Sequence, residues 1–463
     1  MHRLRSLWLN LRDSLWFLPT LIVCAGIALA LLLVEFDAVF DIDFAQRWPR
    51  VFGAGAEGSR AMLSAIATSM ITVAGVVFSI TIVALSLAAS QYSPRVLRTF
   101  MADRPTQVVL GAFVAVFAYC LIVLRTIRGP EEGGFVPSLA VLGGVAMAFV
   151  GVALLIFFIH HVASAIQVSY IVARIADDTG GAIDRLFLAP LGSPAPMQGE
   201  AAPPGALPER WATVDAPATG YVVGLNGDGL LERATREDAV VRVLPHVGDF
   251  VIEGRPVLEV SASVEPTRAV ADAYLACLSI QGDRTVHQDA PYGIQQIVDI
   301  ALKALSPGIH DPTTAASCID RLSAVLVRLS NRRIEGPYRC RDGRLRLIVE
   351  GPDYAAMVEL CFAAITEHAA NHVEIYERLI VALEAVVDAT GDPVRRRVLG
   401  SRLEALVLRI VAADLPAARR SALLRRAAEL RRQLGDAAAD RQVQGGMRLA
   451  ASNPSMPSEP GLP

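Results

Sequence analysis

Residues 61–128 are AMLSAIATSMITVAGVVFSITIVALSLAASQYSPRVLRTFMADRPTQVVLGAFVAVFAYCLIVLRTIR, two long apolar runs on either side of a short basic turn. No acidic or basic residue occurs at positions 61–91 or 105–124. A helix rises about 1.5 Å per residue and needs about 20 apolar residues to cross the hydrocarbon layer of a membrane. The stretch therefore predicts a transmembrane helical hairpin, and the chain is predicted to be an integral membrane protein.

The whole chain is too apolar for an ordinary soluble protein. Its 463 residues are 53% hydrophobic and 19% charged, and its mean hydropathy is +0.42, with the charges concentrated in the second half. The formal net charge of -3 provides no basic field, so we expect no nucleic-acid partner. The cysteines lie singly, without a CxxC pair, which suits a reducing compartment and predicts neither a metal nor a cofactor. They are Cys24, Cys120, Cys277, Cys318, Cys340 and Cys361.

Apolar periodicity divides the first part of the chain into membrane segments. We predict an amphipathic interfacial helix over residues 1–15 and a four-span transmembrane domain over residues 16–165, embedded in the lipid bilayer. The turn after the second span carries Arg95, Arg98 and Arg104. Because basic loops stay on the cytoplasmic side, this turn and both chain termini are predicted to be cytoplasmic.

The rest of the chain is predicted to be an α+β cytoplasmic region. Short β-branched runs separated by turn residues indicate a small β-rich module, whose VGDFVIEGRPVLEV stretch resembles barrel-sandwich modules such as biotinyl and lipoyl carriers. The module has no lysine for the carrier's amide link, so the likeness concerns the fold alone. The predicted parts are a continuous stalk helix and a Pro/Gly-rich linker at 166–208, the β-rich module at 209–262, a helical domain with a β-hairpin at 263–434, and a disordered tail at 435–463.

The helical domain contains two clear helix starts. Asp289 and Asp311 are each followed closely by a proline, the pattern of an N-cap with proline in the first turn. It predicts helices over residues 291–305 and 312–329. The later Asp342–Gly343 pair, flanked by β-branched and apolar residues, predicts the turn of a hairpin.

Several motifs in fixed order resemble the bacterial membrane-protein family that carries domain of unknown function 2254. The motifs are ALSLAASQYSPRVLRTFMADRPTQVVLG, FFIHHVASAIQ, GYVVGL, VGDFVIEGRPVLEV and QDAPYGIQQIVDIALKALSPGIHDPTTA. The resemblance extends from the first span to about residue 410, and the family usually has asparagine at the position of His310. It implies an inner-membrane architecture and no particular activity.

A first functional alternative is a passive channel gated by the cytoplasmic region. One face of the second span is small or hydroxylic, and such a face either lines a path or packs against another helix, with packing favoured. Missing charges at mid-membrane depth argue against ion-coupled transport. The face comprises Ser64, Thr68, Thr72, Gly75, Ser79, Ser86 and Ser90.

A second alternative is a membrane-bound enzyme with a polar cluster in its soluble part. Three acids, two histidines, a lysine and an arginine within a short stretch suit general acid and base chemistry. The structural account is favoured, because the caps explain two aspartates, an i, i+4 pair explains Asp299 with Lys303, and no motif with its own mechanism is present. The cluster comprises Arg284, His287, Asp289, Asp299, Lys303, His310 and Asp311.

The preferred hypothesis is a membrane-anchored sensor or scaffold whose cytoplasmic region binds a small-molecule ligand or a partner. The free N–H groups at the start of the second capped helix favour an anion, although the adjacent carboxylate weakens this attraction. Self-association into a homo-oligomer is left open. The candidate ligand-binding residues are Gly308, His310, Asp311 and Thr313.

Overall fold

The computed structural model describes residues 16–40, 55–91, 103–129, 135–165, 167–187, 193–194, 207–261, 267–332, 334, 336–351 and 353–435. The chain divides into two compact units, with the boundary between residues 171 and 172. The predicted interfacial helix at 1–15, the basic residues Arg95 and Arg98, and the predicted tail from residue 436 onward lie outside the described residues.

The first unit contains four helices that are long and apolar enough to cross a membrane. This confirms the four long apolar helices predicted from the sequence. The helices are α1 (Phe17–Phe40), α2 (Gly55–Gln91), α3 (Arg104–Thr126) and α4 (Ser138–Ala165).

Helix α3 forms the centre of this unit. Half of its apolar window is buried, compared with 17% in each of the other three helices, and all three pack against it. Glycines permit the close approach: a Cβ at Gly111 would lie 2.8 Å from Pro19 Cα of α1, and one at Gly143 of α4 would lie 2.5 Å from Tyr119 Oη of α3. Small residues therefore bring these backbones together, as expected of helices in lipid.

The two faces of α2 differ in composition and burial. The face toward α3 buries large and small apolar side chains, at Leu63, Ala67, Met70, Ala74 and Val77. The hydroxyl face predicted from the sequence is exposed at Ser64, Thr68, Thr72, Gly75, Ser79 and Ser86. Its hydroxyls therefore do not pack inside the bundle of this chain.

The predicted continuous helix after the fourth span is interrupted in the structure. The fourth helix, α4, ends at Ala165, and the next helix is α5 (Val168–Phe187). The amide of Gln167 donates to the Ser164 carbonyl (3.1 Å), a tighter turn than the helical i to i−4 bond. From residue 172 onward, α5 belongs to the second unit.

The second unit is a mixed α/β structure with two small sheets. Its strands are β1 (Ser193–Pro194), β2 (Trp211–Asp215), β3 (Gly220–Leu225), β4 (Val241–Val243), β5 (Phe250–Val251), β6 (Pro256–Ser261), β7 (Leu278–Gln281), β8 (Tyr338–Arg341) and β9 (Arg344–Ile348). Its further helices are α6 (Gly227–Arg236), α7 (Arg268–Leu275), α8 (Ala290–Ala304), α9 (Pro312–Ser330), α10 (Tyr354–His368), α11 (Val373–Asp388), α12 (Pro393–Ala412) and α13 (Ala417–Gln433).

The two sheets share one hydrophobic core. Their strand orders are β1-β8-β9-β4-β6-β2 and β5-β3-β7, and all pairs are antiparallel except β4 with β9. Inward side chains such as Val222 of β3, Val241 of β4 and Leu258 of β6 pack with Leu230 of α6. Neither sheet closes into a barrel over the described strands. The hairpin predicted at Asp342–Gly343 is confirmed as the turn between β8 and β9.

Candidate functional site

The pair of Arg284 and Asp289 is the most buried part of the polar cluster. Arg284 donates from Nε and Nη2 to the two carboxylate oxygens of Asp289, at 2.8 and 2.9 Å. Asp289 is 1% exposed, and its Oδ1 also accepts from the Tyr292 amide at 2.9 Å, so the predicted cap of α8 is confirmed. The carboxylate is fully engaged in structural contacts, which leaves it unsuited to accept a substrate proton.

Residues 284–289, here called the junction segment, contact the sheet region at the end of β3 and at the turn between β4 and β5. The Leu225 amide donates to Gln288 Oε1 at 2.8 Å. Gly248 has a φ of +102°, and a Cβ on it would lie 2.6 Å from Asp289 Oδ2 and 2.7 Å from Arg284 Nη2. Only glycine fits this site, both for its backbone conformation and for the space available.

The junction segment and α8 also contact α5. Arg185 Nε donates to the His287 carbonyl at 2.9 Å. One turn into α8, a Cβ on Gly293 would lie 2.0 Å from Thr179 Oγ1, so the Thr179 side chain occupies the place where any larger residue at 293 would project. Thr179 is itself fully buried. The junction segment and the first turn of α8 therefore contact both the sheet region and α5.

A second ionic contact fixes α5 to α9. Asp184 accepts from Arg328, including a bond from Arg328 Nε at 3.1 Å, and from Arg332 Nη2 at 2.6 Å. These bonds, the one from Arg328 foremost, hold the pKa of Asp184 below its ordinary value. The contact is structural, since it joins two helices rather than lining a cavity.

Asp299 and Lys303 lie further along α8, away from the junction segment. Asp299 Oδ1 accepts from Gln295 Nε2 at 2.7 Å, one turn earlier on the helix. The pairing of Asp299 with Lys303 stays a prediction. The structure thus divides the predicted cluster along the length of α8 instead of bringing it to one point.

The predicted anion site at the start of α9 is largely occupied by its own cap. Asp311 accepts from the amide and the hydroxyl of Thr314 at 3.0 and 2.6 Å, which confirms this cap and lowers the pKa of Asp311, the hydroxyl bond being the larger cause. His310 has a φ of +52°, and its ring lies 4.9 Å from the His372 ring. Ligand binding by Gly308, His310, Asp311 and Thr313 stays a prediction.

An open cleft lies between β4, β5 and β6. Its volume is about 430 Å³, within the usual range for small-molecule sites. Three of its apolar side chains are exposed despite their size: Phe250 (56%), Ile252 (53%) and Leu244 (39%). The complete lining is Leu244, Pro245, Asp249, Phe250, Val251, Ile252, Arg255 and Pro256.

No motif of the sequence indicates this cleft, although one local signal is present. In the Phe250-Val251-Ile252 run, alternation on a strand turns the first and third side chains to one face and the second to the other. Val251 is buried and its two neighbours are exposed. The run therefore presents two large apolar side chains to solvent on one face. Neighbouring exposed apolar side chains of this size often mark a binding site.

Polar contacts in the first unit join helix ends. His161 Nε2 lies 2.8 Å from Asp103 Oδ2, and Asp103 caps α3 through the Thr106 amide. Near the opposite ends of these helices, the Ala140 amide donates to Asp37 Oδ2 at 3.1 Å. Across the parts of the chain that the structure describes, no three metal-ligating side chains form a group suited to a metal ion.

Comparison with known proteins places this architecture in one family. The model of the family described as predicted membrane protein (DUF2254) matches residues 12–385. Two relatives, named as uncharacterized proteins of Mycobacterium bovis and Mycobacterium tuberculosis, are each 32% identical to this chain over 420 residues, covering 88% of this chain and 78% of each relative. No solved structure matches the chain.

Proposed function

We propose that this chain, which belongs to the DUF2254 family of predicted membrane proteins, is a membrane-anchored sensor whose second unit binds a small apolar ligand with an anionic end. The observation that carries the proposal is the open cleft between β4, β5 and β6. A concave surface that combines apolar side chains with a few polar groups is a usual form of a small-molecule site.

The charges at the cleft define the anionic end of the ligand. Asp249 Oδ2 is engaged locally, because it accepts from the His246 amide at 2.8 Å and lies 3.3 Å from the His246 ring. Arg255 is the cation of the lining, and its guanidinium suits a carboxylate or phosphate. A medium-length fatty acid anion therefore offers an alkyl chain to the exposed Phe250 and Ile252 side chains and a charge to Arg255.

The test uses octanoate and a fluorine label. The full chain is reconstituted in nanodiscs with 4-fluorophenylalanine at position 250, and the ¹⁹F resonance is followed during titration with octanoate. We expect a saturable shift that is weaker with octanamide, which has the same alkyl chain and no charge. The Arg255→Gln variant should remove the difference between the two compounds.

A label at Phe362, which is 1% exposed in α10, serves as the matched control and should not shift. A non-saturable shift at position 250, or one that equals the shift at position 362, would reject the cleft as a binding site. Equal responses to octanoate and octanamide in the unsubstituted protein would reject the anionic end of the proposed ligand.

The proposal includes an inner-membrane location with both termini in the cytoplasm, supported by the basic residues of the turn after α2. Single cysteines at Gly58 and Gly435 in a cysteine-free protein should differ in labelling by an impermeant thiol reagent on intact cells, with labelling at Gly58 alone. It also includes a barrel-sandwich-like arrangement of the β module, supported by the core that the two sheets share.

A second candidate is a passive pore between copies of the chain, favoured by the exposed hydroxyl face of α2. Thr72 satisfies its hydroxyl within the helix by donating to the Thr68 carbonyl at 2.8 Å, so this hydroxyl does not require a partner helix. If the face lines a path, Thr72→Ala and Ser79→Ala change solute flux in reconstituted vesicles. Unchanged flux at unchanged folding contradicts the pore.

A further inference from the structure

We infer that occupancy of the cleft is coupled to α5 through the junction segment, residues 284–289. This inference rests on the proposed function, because it assigns a means of signalling to the same cleft. The covalent connection between the two units passes along α5. A change in α5 on ligand binding would therefore connect the cleft with the membrane unit.

The first step runs from the cleft to Asp289. Asp249 lines the cleft, and its neighbour Gly248 lies directly against the Arg284–Asp289 pair, with no room for a single additional carbon. The Gly248 amide is also fixed, since it donates to the Val222 carbonyl at 2.7 Å. A displacement of this loop by a ligand therefore displaces the ion pair or strains it.

The second step runs from the ion pair to α8. Asp289 is the N-cap of α8 and bonds the Tyr292 amide at 2.9 Å, while the Arg284 guanidinium lies over the Tyr292 ring at 4.9 Å. Asp289 thus contacts the backbone of Tyr292 and Arg284 contacts its ring, both in the first turn of α8. Any movement of the carboxylate is carried into the backbone of α8.

The third step runs from α8 and the junction segment to α5. Thr179 fills the space above Gly293, and Arg185 donates to the His287 carbonyl at 2.9 Å. These two residues are separated by nearly two turns of α5, so they define both the spacing and the orientation of α5 against α8. The three steps form one continuous series of close contacts, which is the physical requirement for coupling.

The coupling is tested with a covalent occupant of the cleft, so that no natural ligand is required. Ile252→Cys is introduced in the full chain with Cys24→Ser, because Cys24 is the exposed native cysteine. The protein, in nanodiscs, is modified with n-hexyl methanethiosulfonate, and mass spectrometry verifies one hexyl group. Hydrogen exchange is then compared across residues 172–187 before and after modification.

We expect the hexyl group to change amide exchange in residues 172–187 by about threefold or more, since local opening free energies govern exchange. The matched control is Val394→Cys, which places the same group at a 58% exposed position on α12 and should leave α5 unchanged. The Arg185→Gln variant removes the bond to the His287 carbonyl at an exposed residue and should reduce the response of α5 at least twofold.

Exchange that changes at residues 244–256 but not at 172–187 overturns the coupling and leaves the cleft intact as a binding site. An equal response of α5 to the Val394→Cys adduct also overturns it. The octanoate titration is independent of both outcomes, because the hexyl group occupies the cleft covalently whether or not the natural ligand is a fatty acid anion.

Discussion

Helices α8 and α9 begin with the same local pattern and in very different surroundings. Each is capped by an aspartate, Asp289 or Asp311, with a proline in the first turn. Asp289 is 1% exposed and bonds Arg284 in addition to the helix. Asp311 is only partly buried and bonds its own helix at Thr314. The Asp289 cap also contacts Arg284 and the turn at Gly248. The Asp311 carboxylate bonds the first turn of its own helix.

This difference shows what a capping motif does and does not specify. The aspartate and proline define where a helix starts, because they satisfy a backbone amide and pre-set φ in either setting. Whether the carboxylate also anchors another part of the chain depends on residues far away in sequence, here Gly248. The following substitutions test how far the two caps differ in their contribution to stability.

The largest effect is expected from Arg284→Met. The substitution leaves the Asp289 carboxylate buried without its cation, which should cost about 3 kcal/mol of folding free energy. Thermal unfolding followed by tryptophan fluorescence measures the loss. The matched control is Arg344→Met, whose partner Asp238 is 69% exposed and which should cost much less, because solvent screens the pair. Equal losses in both variants would mean that the junction is no stronger than a surface pair.

A somewhat smaller effect is expected from Gly248→Ala. The added Cβ meets the Arg284–Asp289 pair and the backbone is left-handed, so we expect a loss of about 2 kcal/mol. Gly254 isolates the backbone contribution, because its φ is +75° but nothing lies within 4 Å of its Cβ position. Gly254→Ala should therefore cost about 1 kcal/mol. Equal losses of folding free energy in the two variants would contradict the close contact at Gly248.

Asp311→Ala should cost about 1 kcal/mol, the ordinary value of a lost N-cap. The comparison variant is Asp311→Asn, which keeps an oxygen acceptor for the Thr314 amide and should differ from wild type by a few tenths of a kcal/mol. Melting temperatures of the two variants provide the check. A loss for Asp311→Ala as large as that for Arg284→Met would show that the α9 cap also anchors distant structure.

Acid should weaken the α9 cap by a still smaller amount. Bonds from Thr314 lower the pKa of Asp311 in the folded chain, so the cap stabilises the fold above the ordinary carboxyl pKa. This stabilisation is lost as the pH falls from just above the ordinary carboxyl pKa through the lowered pKa of the folded chain. The melting temperature of wild type should therefore fall more over this interval than that of Asp311→Asn. Parallel curves would contradict the assignment.

The smallest effect is expected from Lys303→Arg near the end of α8. If this lysine, the single one in the sequence, serves only through its charge, the substitution should change stability by less than about 0.5 kcal/mol. Function should also be kept in that case, because arginine retains the charge. A lysine that acts as a nucleophile or base could not be replaced in this way, because arginine is poor in both roles. An unchanged melting temperature together with complete loss of function in cells would instead support the enzyme hypothesis.

Local sequence signals were sufficient for the elements and insufficient for their assembly. The four apolar helices, the caps at Asp289 and Asp311, and the turn at Asp342–Gly343 each depend on residues within a few positions of one another, and all are present. The parallel pairing of Val241 with Leu347 joins strands more than 100 residues apart. No local pattern specifies such a partner, since loop closure over that distance depends on the whole core.

The same limit applies to the candidate site. The seven polar residues of the predicted cluster are close in sequence, but the length of α8 separates Asp289 from Lys303 and Asp311. The cleft is lined by β5, the first residue of β6 and the turns on either side of β5, all within residues 244–256. Its significance depends on Phe250 and Ile252 remaining exposed after folding, which composition alone does not reveal.

The central position of α3 has a consequence for how the protein is made. The ribosome releases α1 and α2 before α3, yet both earlier helices pack against α3, and the Gly111–Pro19 contact brings α1 within van der Waals distance of it. Individually inserted helices associate only after all partners have entered the bilayer. The packing of the first two spans against α3 therefore forms only once the third span has been inserted.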